Sequence, residues 1–166
     1  MKAPKRFFVD RMLGKVAKCL RILGYDARYG SIENASQIQA LRDEGIVIVT
    51  GNTRWRHIPG VFFCEATRPE EQFRKLAQAG LIQPKETDPF SRCIRCNSVL
   101  EDVAKEEVAL CVPEYIYATA PSFSRCPSCK RVYWAGSHLA RMAEWFRRIM
   151  DWNLEDAGER RNGWAE

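Results

Sequence analysis

Histidine is nearly absent from this chain of 166 residues, which has only His57 and His138. No run approaches the roughly 20 apolar residues a membrane-spanning helix needs, which excludes such a helix. Residues 1–6 carry Lys2, Lys5 and Arg6 and pass straight into a strand pattern, without the apolar h-region of a secretory signal. There is no low-complexity segment and no repeat beyond one pair of short cysteine motifs. These absences lead us to expect a soluble, cytoplasmic protein with no membrane partner. Acidic residues are also in the minority, 21 against 26 Lys and Arg, for a net charge of +5. Residues 1–90 hold 15 cations against 10 acids, while residues 91–136 hold 6 against 5 and residues 137–166 hold 5 against 6. A basic first half suits a polyanion such as RNA, although an ordinary solubilising surface has the same balance.

Cysteine, in contrast, is plentiful: seven residues, four of them arranged as Cys93-Ile94-Arg95-Cys96 and Cys126-Pro127-Ser128-Cys129. Two C-x-x-C motifs at this separation can supply four thiolates to one tetrahedral Zn²⁺, the pattern of a zinc ribbon. A thioredoxin-like dithiol needs only one such motif, so a dithiol oxidoreductase is a distant alternative. The four thiolates complete a zinc site without His138. Cys19, Cys64 and Cys111 remain, and each is expected as a small buried hydrophobe in a reducing compartment.

The order of patterns sets the fold class. Arg6–Val9 is a short apolar run ending in Asp10, followed by helical periodicity from Met12 to Leu23 and a stop at Gly24. On that helix Leu13, Val16, Ala17, Leu20 and Leu23 share one side, and Arg11, Lys15, Lys18 and Arg21 share the other. A strand around Ala27–Tyr29 and a helix over 34–44 come next, with Asn34 and Gln37 as an N-terminal box and Gly45 as a stop. Ile46–Thr50 is apolar at consecutive positions and β-branched, as in a strand covered on both faces. Gly60–Cys64 is a further strand. Thr67–Glu70 opens a capped helix with Pro69 near its start, running to Gly80. Alternation of this kind predicts an α/β unit with a mostly parallel sheet over 1–80. Residues 81–90 read as a linker, 91–136 as the ribbon, 137–152 as a helix capped by Ser137, and 153–166 as a polar tail.

Ligands of open parallel sheets meet the carboxyl ends of the strands, which here carry Asp10, Thr50-Gly51-Asn52 and Glu65. Carboxylates converging there could hold Mg²⁺ or Mn²⁺ for phosphodiester hydrolysis, with Asp26 and Glu33 as further candidates from the intervening segment. The loop 52–57 adds Arg54, Trp55, Arg56 and His57, a mixture that grips phosphate and stacks a base, or else a loop with Trp55 tucked into the core. His57 has no identifiable partner for acid–base work.

Taken in order, Phe8-Val9-Asp10-x-Met12-Leu13-Gly14, Leu20-Arg21-x-Leu23-Gly24-Tyr25-Asp26, Ile46–Thr50, Pro69-Glu70-Glu71-Gln72, the first cysteine pair with Asn97, and Cys126 to His138 resemble the Mut-seven C-terminal RNase family, from about Arg6 to Met150. The resemblance implies a PIN-like α/β/α sandwich followed by a zinc ribbon, divalent-metal-dependent RNA hydrolysis at clustered carboxylates, and a ribbon that extends an RNA- or partner-binding surface. Where that family usually reads Thr-Arg-Asp after its central strand, this chain reads Thr50-Gly51-Asn52, which replaces one carboxylate by a neutral amide. The leading expectation is therefore a ribonuclease with Asp10 as the Mg²⁺ or Mn²⁺ ligand and Glu33 and Asn52 as weaker ligands. Arg11, Lys15, Lys18, Arg54 and Arg56 are expected on RNA phosphates, and Cys93, Cys96, Cys126 and Cys129 on structural zinc. The alternative is a PIN-like module that has lost hydrolysis and docks on structured RNA, a ribosome or a protein partner.

Overall fold

The computed structural model describes residues 5–152; the expected polar tail at 153–166 and the side chain of His138 lie outside the described residues. Four short strands, β1 (Arg6–Asp10), β2 (Asp26–Gly30), β3 (Ile46–Thr50) and β4 (Val61–Phe63), form one fully parallel sheet in the order β2-β1-β3-β4. Alternate residues of the two central strands serve opposite faces. Phe7, Val9 and Val49 pack with α1 (Gly14–Ile22) and α3 (Pro69–Gln78), whereas Ile46 and Ile48 pack with α2 (Ala35–Asp43). A strand buried on both sides has no solvent face to mark with polar residues, which is why Ile46–Val49 reads as an unbroken apolar run. The result is the expected α/β/α sandwich. No described helix is long and apolar enough to cross a membrane.

Local chemistry explains the element boundaries. The predicted helix at Met12 opens with a 3₁₀ turn, Arg11–Leu13, because the Asp10 carboxylate accepts the Arg11 N–H at 2.7 Å and tightens the first turn. It closes at Gly24 (φ +88°) by a double bond pattern: Gly24 N–H donates to the Arg21 carbonyl and Tyr25 N–H to that of Leu20, both at 3.0 Å. In the second helix Asn34 caps the Gln37 N–H at 2.9 Å, but Gln37 reaches back to Glu33 N–H rather than to Asn34. Two expected caps are corrected. α3 starts after Arg68 with no side-chain cap, its first turn resting on Pro69 and the acidic Glu70 and Glu71. Ser137 is already the first residue of α5 (Ser137–Met150), and Gly136 holds the cap position without a side-chain bond.

Beyond the sandwich, β5 (Glu101–Val103), β6 (Phe123–Arg125) and β7 (Val132–Trp134) form a three-stranded antiparallel sheet, consistent with a zinc ribbon. A short helix, α4 (Glu114–Thr119), lies in the long connection between β5 and β6. Its six residues are too few to show a periodic stripe. α5 packs onto α3 through Phe146 and Trp145, both edge-on to Phe73. Its aromatic stripe is packing, as its spacing suggested.

Segment 81–90 is bonded along its length. Ile82 is buried, and the Tyr25 hydroxyl donates to the Gln83 carbonyl at 3.2 Å and accepts its N–H at 3.0 Å. Asp88 and Phe90 N–H donate to the carbonyls of Leu23 and Ile22 at 3.0 and 2.7 Å. This strap passes so close to Gly24 that a Cβ there would lie 2.2 Å from the Asp88 carbonyl oxygen, whereas a Cβ on Gly45, also left-handed at φ +70°, would meet nothing within 4 Å. Gly24→Ala should therefore cost about 2–4 kcal/mol, from left-handed strain plus a backbone clash, and Gly45→Ala only about 1 kcal/mol. Denaturant unfolding of the two variants measures this difference; equal losses would mean that the strap gives way freely.

Candidate active site and metal centre

The chain runs from β1 to β2 on one side and then crosses to β3 on the other, so strand order reverses between β1 and β3. Connections leaving in opposite directions open a crevice at the carboxyl ends of those two strands, where ligands of open α/β sheets bind. Asp10, the last residue of β1, lies there and is 5% exposed. One of its oxygens accepts the Arg11 N–H, and the other accepts the Thr50 hydroxyl from β3 at 2.5 Å. The Thr50 oxygen in turn accepts Asn52 N–H at 3.0 Å. An ionised carboxylate has about four lone-pair directions. Two are engaged, so Asp10 is oriented and still has capacity for a cation.

The other expected site residues have separate tasks. The Asn52 side-chain oxygen accepts Arg54 N–H at 3.0 Å and caps the 3₁₀ turn Thr53–Trp55. Glu33 is exposed at the entrance to α2. Glu65, after β4, is exposed and lies 3.6 Å from Arg56. Among the described residues, the four cysteines are the one group of three or more His, Cys, Asp or Glu gathered closely enough to hold a metal. Asp26 does not reach the Asp10 edge: it pairs in register with Arg6 at the opposite end of the sheet and accepts the Asn97 amide at 2.6 Å. Trp55 resolves to the core, buried with Ile38 and Ile48, so it is closed to base stacking. The Arg54 guanidinium lies over its ring at 4.5 Å, and that of Arg56 over Phe63 at 5.1 Å.

Arg11, Lys15 and Lys18 are exposed, as a basic helix face requires. Arg21 departs from that face. It is buried, donating to the Ala27 carbonyl at 2.9 Å and to the Ile94 and Arg95 carbonyls at 2.9 and 3.0 Å. Burial lowers its pKa, opposed by the nearby Cys93, Cys96 and Asp26. The helical wheel assigned it to solvent because the cysteine turn that covers this end of α1 arrives from 73 residues away. The free cysteines also divide. Burial pushes the Cys19 thiol up to about 12, with Glu70 adding to it, and also raises Cys64, so both are inert. Cys111 is exposed, contrary to expectation.

The two cysteine turns are built alike. Cys93 N–H donates to the Ser98 carbonyl and Cys126 N–H to that of Arg131, at 2.8 and 2.9 Å. Asn97 and Lys130 occupy the left-handed region at φ 67° and 62°, and their N–H groups return to the Cys93 and Cys126 carbonyls. Cys96 and Cys129 N–H point at the Cys93 and Cys126 sulfurs at 3.3 and 3.4 Å. The Cys93 and Cys129 sulfurs are 3.8 Å apart. A tetrahedral ion with metal–sulfur bonds of about 2.3 Å has edges of about 3.8 Å, so the donor set fits Zn²⁺. Burial works against ionising Cys93, yet hydrogen bonds from the Tyr133 hydroxyl (3.0 Å) and the Cys96 and Arg95 N–H groups outweigh it and bring the thiol to about 7. Cys96 is pushed up to about 12, first by its bond to Cys129 and then by burial and the Cys93 charge. Ionised Cys93 thus opposes ionisation of Cys96, a conflict that a cation between the two sulfurs removes.

The geometry defines a parallel α/β sandwich with a carboxylate at its switch point, joined to a four-cysteine module able to bind a metal such as zinc. The family model described as the Mut7-C RNAse domain matches residues 5–146, and the chain belongs to that family. No curated protein and no solved structure matches it. Membership implies RNA as substrate or partner.

Two substitutions check the metal centre. Cys93→Ser should release zinc, measured as metal per chain by mass spectrometry, and unfold the cysteine module while β1–β4 keep their amide protection. Full zinc retention would show that Cys93 is not a ligand. Tyr133→Phe should fold but lose about tenfold or more in zinc affinity against a chelating dye, since it removes the hydroxyl that bonds the Cys93 sulfur. Unchanged affinity would show that the phenol does nothing for the thiolate.

Proposed function

We propose that this protein is a metal-dependent ribonuclease of PIN-like design, with an active site at Asp10 and structural zinc on Cys93, Cys96, Cys126 and Cys129. The observation that carries this reading is the nearly buried Asp10 carboxylate at the β1/β3 switch point, oriented by Thr50 and Arg11 N–H and still able to accept a cation. Asp10 would hold Mg²⁺ or Mn²⁺, with Asn52 and Glu33 as outer or indirect ligands. Such an ion, when bound, lowers the pKa of water and stabilises charge on a leaving oxygen. The chain's own residues do the rest: Thr50 fixes the carboxylate, while Arg11, Lys15, Lys18, Arg54 and Arg56 hold phosphates. Within this proposal residues 1–80 form the catalytic unit and 91–136 the ribbon. Seven unpaired cysteines support a reducing, cytoplasmic setting.

A second reading has its own observation. Where the family usually has an acid, Asn52 offers an amide whose oxygen already caps a turn, which favours a module that binds structured RNA, a ribosome or a protein without cutting. End-labelled single-stranded and structured RNAs, incubated with zinc-loaded protein and Mn²⁺, Mg²⁺ or EDTA, separate the two. Ribonuclease action requires metal-dependent cleavage that falls by 10²-fold or more in Asp10→Asn. Bound but intact RNA with wild-type protein would select the second reading.

A further inference from the structure

A groove of about 900 Å³ runs from Met12, two residues past Asp10, to the cysteine turns. α1 lines it with Lys15 and Lys18, the start of α3 with Pro69 and Gln72, and the cysteine module with Arg95 of the first turn and Arg131 just past the second. All four basic side chains are exposed. No hydrogen bond or ion pair of these basic side chains occurs among the described residues, and the groove lining contains no carboxylate. Glu70, in the first turn of α3, acts on Lys15 from outside the lining. The groove floor includes Arg21, whose bonds to the Ile94 and Arg95 carbonyls lock α1 to the first cysteine turn. At the Asp10 end, Met12 and Tyr29 are 65% and 45% exposed. The Tyr29 hydroxyl donates to the Arg11 carbonyl at 2.8 Å, which holds the ring in place.

We infer that this groove between α1 and the cysteine turns is the path of a single RNA strand, with Lys15, Lys18, Arg95 and Arg131 on successive phosphates and Tyr29 and Met12 against a base beside Asp10. A small anion is bound by cations that converge on one point. Cations on α1 and on the cysteine module, followed by an exposed ring, suit a polymer that carries phosphates along its length and offers unpaired bases to stack. A duplex keeps its bases stacked and has none to give to Tyr29. The inference rests on the RNA reading above and goes beyond it in naming Arg95, Arg131 and Tyr29 as contacts and an unpaired strand as the occupant.

The test is fluorescence anisotropy of a labelled single-stranded oligoribonucleotide without added Mg²⁺ or Mn²⁺, at several salt concentrations, on zinc-loaded protein. Arg95→Gln with Arg131→Gln is compared with wild type; both side chains are exposed, and zinc content and thermal midpoint confirm that the variant is folded. Loss of two phosphate contacts should weaken binding at least tenfold at low salt and flatten the slope of log K against log salt by about 1.4. An unlabelled duplex of the same length should compete at least tenfold less well than the single strand. A folded variant with wild-type affinity and slope would overturn the groove assignment while the RNA reading stands, and equal competition by the duplex would overturn its single-strand character. Absence of RNA binding by wild-type protein would remove the RNA reading and the groove together.

Discussion

Much of the C-terminal part of this molecule turns on four cysteine sulfurs placed closely enough to share one cation. Residues 91–136 fully bury few apolar side chains: Leu100 beside the sulfurs, and a separate cluster of Val108, Ala120 and Phe123 fringed by half-buried residues such as Ile116 and Trp134. Cores of that size do not offset the chain entropy of about forty-five residues. A tetrahedral ion on the four cysteines would supply the missing free energy and make the two cysteine turns rigid. The consequences reach the sandwich. A rigid first turn presents the Ile94 and Arg95 carbonyls to Arg21, and presents Asn97 so that its side chain accepts Ala27 N–H at 3.0 Å and donates to Asp26. These bonds occupy the outer edge of β2 and fix the distance between α1 and the cysteine turns.

Sheet order accounts for the other half of the site. Because β1 lies between β2 and β3, the connections around it leave in opposite directions, and the residue that ends β1 faces an open crevice. Asp10 is that residue, and Thr50 ends the neighbouring strand. A hydroxyl donating to a carboxylate while accepting a backbone N–H orients the acid. The Asn52 side chain is committed to its own turn, and among the described residues Asp10 is the one buried acid. A lone carboxylate depends more on cations elsewhere to position an anionic substrate, and the basic groove begins two residues beyond it.

Much of the fold was legible because each signal is local. The apolar run at Ile46–Val49, the stop at Gly24 and the paired C-x-x-C motifs report burial, a left-handed residue and a cluster able to hold a metal through neighbours in the chain. What escaped depends on contacts made across long separations. Arg21 lies on the basic stripe of α1, and only the cysteine turn docked against it makes it a buried donor. Asp26 was a site candidate until parallel register placed it at the amino edge of the sheet. Segment 81–90 has the prolines of a linker, yet its N–H groups find carbonyls at the end of α1. In the candidate site, Asp10 was readable as an acid after a strand and the cysteines from their spacing. Arg95, Arg131 and Tyr29 carried no signal, since a lone cation or tyrosine acquires meaning only from what faces it.

Anomalous diffraction from crystals of the zinc-loaded protein, soaked with Mn²⁺ and a non-hydrolysable single-stranded RNA, tests the account most directly because it locates both ions and the strand at once. The account predicts zinc at the four cysteines, Mn²⁺ within about 2.3 Å of an Asp10 oxygen, and RNA running past Lys15 and Lys18 toward Arg95. Manganese bound away from Asp10, or a strand that avoids the groove while the zinc site is filled, would contradict it.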